Sequence, residues 1–401
     1  MSLRGFLLAC WVATLGVLAP GAAVAAPPSV NSAKAAIVVD AGDGAVMFQK
    51  APDERRAIAS TTKLMTALLT FERAKPNDVF TAPPYAAQPA ESKINLRKGE
   101  RMRVSDLLEG LLLESANDAA ETLAVNISGS RARFVELMNT RASELGLGHT
   151  SYANPIGLDD AENYSTARDL ASLAVRLLHR PRFARIVDMP AAVLESGSHR
   201  RVVDNRNDLV ARFPFVDGVK TGHTIDAGYV LIGAARASGG AAVVSVVLGE
   251  PSEAARDADT IALLRWGLSR FRRERVLSPK RVLARPGVKY RDDRAELVPR
   301  TPLTLTVRQG ERVSRRVAAP DEVEGPLDAG DRVGRVTVLL DGKPVRRVAL
   351  VTAGKVPGAG PLRVFFSSVG VTLTVLFLLC ALGVTGLIVR RVRTERKAVH
   401  E

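Results

Sequence analysis

The chain has 401 residues, with 56 Lys and Arg against 42 Asp and Glu, a net charge of +14, five histidines and two cysteines. Cys10 and Cys380 each fall inside an apolar run near one end. The chain between them therefore has no disulfide, cysteine nucleophile or thiolate metal site. The histidines show no His-x-x-x-His or His-Glu-x-x-His spacing, which argues against a zinc hydrolase.

In chain order, the first segment reads as an export signal over residues 1–25. Arg4 gives a positive start, Phe6 to Leu18 is almost wholly apolar, and Ala23-Val24-Ala25 offers small residues to a signal peptidase. The competing lipoprotein box, Leu7-Leu8-Ala9-Cys10, has too little chain ahead of it and an apolar run that continues past Cys10. Lys34 to Asp40 and Ala45 to Gln49 flank Gly42-Asp43-Gly44 and read as a hairpin. A helix is expected from Ser60, with Leu64, Leu68 and Leu69 as its apolar stripe, and further helices over Val104 to Val125, Ser130 to Leu145 and Thr166 to Leu178. Gly228 to Arg236 and Ala241 to Leu248, joined by Ser238-Gly239-Gly240, form a second hairpin, and Ile261 to Phe271 a closing helix.

From Val276 the helical period is replaced by short β-prone runs, Leu303 to Val307, Val333 to Leu340 and Val345 to Val351, with Asp341-Gly342 as a hairpin turn. Thr352 to Pro361 is rich in glycine and proline, as in a flexible stalk. Val364 to Val389 then runs for 26 residues without a charge. That is enough to cross a hydrocarbon core of about 30 Å with some tilt. Arg390, Arg391, Arg393, Arg396 and Lys397 follow at once, so the positive-inside rule places the tail in the cytoplasm and everything before it outside. The divisions expected are a signal (1–25), a catalytic domain (30–275), a small β domain (276–351), a stalk (352–363), a transmembrane helix (364–389) and a basic cytoplasmic tail (390–401). With this topology the basic balance implies attraction to anionic lipids and wall polymers and no nucleic-acid partner, the arginines being read as spread along the chain rather than gathered in a block.

Three short motifs carry chemistry. In Ser60-Thr61-Thr62-Lys63 a serine and a lysine three apart at a helix start share one face. A buried lysine with a lowered pKa can take the hydroxyl proton, and the helix N-terminus supplies donors where an oxyanion forms. Ser115-Ala116-Asn117 offers a second hydroxyl to relay a proton and an amide to hold the lysine and a substrate amide. Lys220-Thr221-Gly222, just before the strand that opens at Gly228, offers a cation and a hydroxyl to a carboxylate and a glycine against which a substrate backbone can lie. Each alone is weak: an ordinary helix cap, a polar loop and a chance triplet explain them as well.

In this order and placement they are the motif set of serine β-lactamases and penicillin-binding proteins. Within that superfamily the chain resembles the low-molecular-mass penicillin-binding proteins, the D-alanyl-D-alanine carboxypeptidases. Asn154-Pro155-Ile156-Gly157-Leu158-Asp159, Ser165-Thr166-Ala167-Arg168-Asp169-Leu170, Asn205-Arg206-Asn207 and Lys220-Thr221-Gly222-His223-Thr224 also look like that family. The likeness is strong over residues 30–275 and looser over the β domain. It implies an α+β catalytic domain of β-lactamase/transpeptidase type, an antiparallel sheet flanked by helices with a helical subdomain that carries the Ser-Ala-Asn loop.

Carried over by position, Ser60 is the nucleophile, Lys63 its base, and Ser115 and Asn117 relay the proton and orient the substrate. Lys220 and Thr221 bind the terminal carboxylate, and the backbone N–H groups of Ser60 and His223 form the oxyanion hole. The His223 imidazole is either part of the site or a wall of the cleft, and Arg256 either an extra carboxylate-binding arginine or a plain surface one. The implied reaction needs no cofactor: it removes the terminal D-alanine from peptidoglycan stem peptides through an acyl-enzyme, and β-lactams acylate the same serine. Two alternatives stay open. One is a transpeptidase, endopeptidase or β-lactamase with the same acylation; the other is a non-catalytic wall-binding or division scaffold. Many family members end in an amphipathic helix on the outer leaflet, so the crossing expected here departs from their anchor.

Overall fold

The computed structural model describes residues 26–365 and 371–398; the expected export signal lies outside them. The chain divides into two compact units, Met1–Ser269 and Arg270–Glu401.

The first unit is built on a five-stranded antiparallel sheet of β1 (Ala35–Asp40), β2 (Val46–Lys50), β3 (Val216–Thr224), β4 (Gly228–Arg236) and β5 (Ala242–Glu250), in the order β2-β1-β5-β4-β3. Its helices are α1 (Lys63–Arg73), α2 (Val104–Leu112), α3 (Asn117–Ser128), α4 (Arg131–Glu144), α5 (Ala167–Leu178) and α6 (Glu253–Ser269). Strand β1, Ala-Ala-Ile-Val-Val-Asp, is buried along almost its whole length, as expected of a strand covered on both faces. Ile37 and Val39 join the core that holds Leu170 and Leu173 of α5. Val38, which alternates with them, faces Gly267 of α6, where an added Cβ would lie 3.0 Å from Val38 Cγ1. The β1–β2 turn forms as read from Gly42-Asp43-Gly44: Asp40 and Asp43 accept the backbone N–H groups of Gly42 and Ala45.

Helix α1 runs through the interior, with Lys63 to Thr70 buried without interruption. A 3-10 turn, Ala59–Thr62, precedes it, so Ser60 lies in that turn and Lys63 opens the α-helix. The single helix expected over Val104 to Val125 is two, α2 and α3, separated at Leu113–Ala116 where Ser115 takes φ +62°. A non-glycine residue there cannot continue a right-handed helix. The closing helix also starts earlier than expected, at Glu253, and ends at Ser269.

The second unit is all-β apart from its C-terminal helices. Strand β6 (Phe271–Leu277) pairs with β8 (Leu303–Arg308), and β7 (Leu297–Pro299), β9 (Val313–Ala318), β10 (Arg332–Leu340) and β11 (Lys343–Thr352) form a sheet in the order β7-β11-β10-β9. Asp341 and Gly342 have φ +45° and +79°; two positive central residues match the right-handed twist of the flanking strands, as the Asp-Gly pair predicts. Charge corrects the sequence reading. Met1–Ser269 holds 29 Lys and Arg against 29 Asp and Glu, so the whole excess of +14 belongs to Arg270–Glu401. Strands β9, β10 and β11 carry seven cations and no acid.

Helix α7 (Val371–Ala398) contains one stretch, Leu373–Arg393, long and apolar enough to cross a membrane, and its side chains are exposed.

At the end of β5, Glu250 is 1 % exposed. Burial, and to a lesser degree the neighbouring Asp259, push its carboxyl from the ordinary 4.5 up to about 7. Its stabilising contribution is therefore complete below the ordinary carboxyl range and disappears as pH rises through about 7. Glu250→Gln is expected to melt above the parent at pH 8, by about 1–3 kcal/mol in stability, with the gap closing at pH 5. Thermal unfolding at both pH values measures this, and an equal gap at the two contradicts it.

Candidate active site

Ser60 is held by strained backbone on one side and a close strand on the other. Ala59 has φ +46°, a conformation costly for a residue with a Cβ. The segment that locks it is Asn154 to Leu158. Asn154 Oδ1 accepts the N–H of Gly157 at 2.7 Å, and Thr66 of α1 donates to the Pro155 carbonyl at 2.7 Å. Gly157 has φ +87°, and an added Cβ would lie 2.1 Å from the Ala59 carbonyl oxygen. From the sheet side Gly222 of β3 packs on the same turn, where its Cβ would lie 2.9 Å from the Ser60 nitrogen. The glycine read as room for a substrate thus makes room for the serine's own backbone.

Lys63 Nζ donates to Ser60 Oγ at 2.8 Å and to the Ile156 carbonyl at 2.5 Å. Its side chain is fully buried, and burial, then the positive charge of Lys220, hold the ammonium well below the ordinary lysine range. Glu91 and Asp118 oppose that effect. Lys220 is 1 % exposed and donates to the Thr221 carbonyl at 3.0 Å. Burial first, then Arg206 and Arg256, bring it down to about 7 against the opposing charge of Glu114. The charge of Lys220 thus reaches Lys63, 157 positions away in sequence.

The residues after Ser115 are tied to this region through Asn117, bonded to Glu91, and Asp118, since both carboxylates act on Lys63. Ser115 is 6 % exposed. Asn117, the first residue of α3, donates its Nδ2 to Glu91 Oε2 at 2.7 Å, whereas the sequence reading had it hold the lysine. Lys63 is held instead by Ser60 and a backbone carbonyl. Thr221 is buried beside Lys220 on β3.

The His223 ring is exposed and stacks on its cross-strand partner Tyr229, with centroids 4.0 Å apart, an arrangement that suits a wall of the cleft. Arg256 is not a surface arginine. It is 3 % exposed and paired with Glu253 and Asp257, both at 2.7 Å, and it reaches Lys220 through its charge.

Sequence reasoning missed Glu91, Tyr85 and the Arg206–Glu114 pair, in which Arg206 Nε donates to Glu114 at 3.0 Å. Glu91 sits in irregular chain with no periodicity or motif, so nothing flagged it; Arg206 appeared only within a family-like stretch. Among the described residues no group of three or more His, Cys, Asp or Glu could hold a metal ion.

A serine in a strained turn, bonded to a buried lysine that feels the charge of a second lysine on the edge strand of an antiparallel sheet, defines the serine acyl-enzyme hydrolases of β-lactamase and penicillin-binding type. Residues 22–252 match the family model for D-alanyl-D-alanine carboxypeptidase, and residues 271–358 that for the C-terminal domain of penicillin-binding protein 5. The chain belongs to the D-alanyl-D-alanine carboxypeptidase family. It is 32 % identical to D-alanyl-D-alanine carboxypeptidase DacF of Bacillus subtilis, over 78 % of this chain and 83 % of the relative. The crystal structure of penicillin-binding protein 5 from Haemophilus influenzae matches with a TM-score of 0.60 and 30 % identity, covering 83 % of this chain and 99 % of that one. The Streptomyces K15 DD-transpeptidase matches with a TM-score of 0.56 and 29 % identity, covering 61 % of this chain and all of that one.

Gly157→Ala tests how the Ser60 turn is held. The overlap with the Ala59 carbonyl and the positive φ together are expected to cost about 2–4 kcal/mol, read as a fall in unfolding free energy. A variant that unfolds with the parent contradicts the packing described.

Proposed function

We propose that this chain is a serine-type D-alanyl-D-alanine carboxypeptidase that removes the terminal D-alanine from peptidoglycan stem pentapeptides, with Ser60 as nucleophile and Lys63 as base. The observation that carries this reading is the 2.8 Å contact between Ser60 Oγ and the fully buried Lys63 Nζ, with Lys220 as the second cation. Neutral Lys63 takes the hydroxyl proton as Oγ attacks the carbonyl between the two D-alanines. The backbone N–H groups of Ser60 and His223 donate to the developing oxyanion. Ser115 passes the proton to the departing amine, D-alanine leaves, and water then hydrolyses the ester and restores the serine. Lys220 and Thr221 bind the terminal carboxylate. Asn117 keeps one Nδ2 hydrogen and Oδ1 for the substrate amide while Glu91 takes the other hydrogen. β-Lactams, which present a strained amide beside a carboxylate, acylate Ser60 by the same route.

We infer that the protein is exported by residues 1–25, keeps the catalytic domain (30–275) and β domain (276–351) outside, and crosses the membrane after the stalk, leaving a basic tail inside. The length of the apolar stretch in α7 and the arginines at its end support this topology. The basic β domain suits a position near anionic lipid and wall polymers.

A second reading, transfer of the acyl group to an amine, is favoured by the likeness to a DD-transpeptidase. Incubation with a pentapeptide ending in D-Ala-D-Ala separates the two. Free D-alanine without cross-linked dimer is expected, and dimer as the main product sinks the carboxypeptidase. A non-catalytic scaffold is excluded by D-alanine release that disappears in Ser60→Ala.

The pH dependence of kcat/KM follows from the two lysines. Lys63 acts when neutral, so the rate rises as pH passes upward through its depressed value; Lys220 acts when charged, so the rate falls as pH passes through about 7. Lys220→Arg, permanently charged, is expected to lose the alkaline limb and keep the acid one. A profile whose alkaline limb survives the substitution contradicts the assignment of Lys220.

A further inference from the structure

Residues 82–99 form an irregular loop closed at its base by a two-strand ladder, Val79–Thr81 against Arg101–Arg103. It is built onto the start of α3. The Ser92 carbonyl accepts the N–H of Asn117 at 2.8 Å, and the Asp118 carboxylate accepts the N–H groups of Ile94 and Leu96 at 3.1 and 2.8 Å. Within this loop Glu91 accepts from the Tyr85 hydroxyl, from the Gln88 N–H at 2.8 Å and from Asn117 Nδ2 at 2.7 Å. Of the residues that make these contacts, only Asn117 belongs to the three motifs that identify the site.

We infer that Glu91, braced by Tyr85, is a positioning residue of the reaction: it fixes the orientation of the Asn117 amide and adds a negative charge to the groups around Lys63. The inference deepens the acyl-enzyme reading and rests on it. The first half follows from hydrogen-bond chemistry. A carboxylate accepts and never donates, so it selects the NH2 end of the amide and turns Oδ1 the other way. Without it the two ends of the side chain are nearly isosteric, and the amide can present either one to a substrate.

The second half follows from where the charges lie. Around Lys63 are Lys220 from β3, Asp118 from α3 and Glu91 from the loop; Lys220 disfavours the ammonium and the two carboxylates favour it. Around Glu91 are the Tyr85 hydroxyl, Lys63, and Arg131 at the start of α4, whose guanidinium also pairs with Glu121 at 3.0 Å. Burial pushes the Glu91 carboxyl up, but the bonds from Tyr85, Asn117 and Gln88 outweigh it and hold the group ionised. Burial and the bond to Glu91 in turn push the Tyr85 phenol up, so the hydroxyl stays a donor across the working range.

Two substitutions separate the two roles. Glu91→Gln keeps an oxygen that can accept from Asn117 but removes the charge; Glu91→Ala removes both. The rate of acylation by a fluorescent penicillin is measured against pH for the parent and both variants of the full chain, with thermal unfolding to confirm that each is folded. In both variants the acid limb is expected to move to lower pH, so that below the parent's limb Glu91→Gln reacts faster than the parent. The maximum rate is expected to fall about 10- to 100-fold in Glu91→Ala, the loss of a charge-assisted hydrogen bond at the site, and less in Glu91→Gln. An acid limb that stays in place in both folded variants overturns the electrostatic role. Equal maxima in the parent and Glu91→Ala overturn the positioning role. A parent chain that takes no label overturns the acyl-enzyme reading itself, and this inference with it.

Discussion

The structure depends on the burial of two ammonium groups in one interior region. Taking a single lysine charge out of water costs several kcal/mol, and a second like charge nearby adds to the cost. Burial therefore lowers the proton affinity of Lys63, whose Nζ lies 2.8 Å from the Ser60 hydroxyl oxygen. The surrounding carboxylates limit how far this goes. Glu91 and Asp118 act on Lys63 and Glu114 on Lys220, so both lysines are displaced from ordinary values.

The scaffold keeps that region compact by crowding the serine from two sides. Ala59 carries a positive φ that would relax in an open chain, and the Asn154–Leu158 segment and β3 both press on the same turn. Each approach needs a glycine, Gly157 on one side and Gly222 on the other, because an added Cβ would meet the backbone of the turn. The break between α2 and α3 stops one helix and starts the next, so that Ser115 lies in the connection and Asn117 opens the new helix. The strain at Ala59 is compensated by the core that encloses α1.

Much of this was legible in the sequence because local signals agreed with the fold. Asp341-Gly342 and Gly42-Asp43-Gly44 forced turns, and the apolar period placed α1, α4 and α5 within a few residues. Lys63 and Lys220 were chosen by motif, which carries order but no distance; the effect of one on the other appears only when β3 packs on the Ala59–Thr62 turn. The break at Leu113–Ala116 was missed because Leu111 to Leu113 continue the apolar period and no glycine or proline marks the end. Glu91 was missed because a carboxylate in irregular chain looks like any solvated acid until its hydrogen-bond partners are known. The charge division between the units was misread because arginines occur throughout, and only the boundary at Arg270 shows that acids balance them on one side alone.

The most direct test is an NMR titration of Lys63 in protein with 13C-enriched lysine side chains, its resonance assigned by loss in Lys63→Arg. The Lys63 signal is expected to titrate well below the ordinary 10.5 and to move upward in pH when Lys220→Met removes the neighbouring charge. A signal that titrates near 10.5 in the parent would mean that the lysine beside Ser60 is an ordinary cation, and the proposed activation of the serine would be wrong.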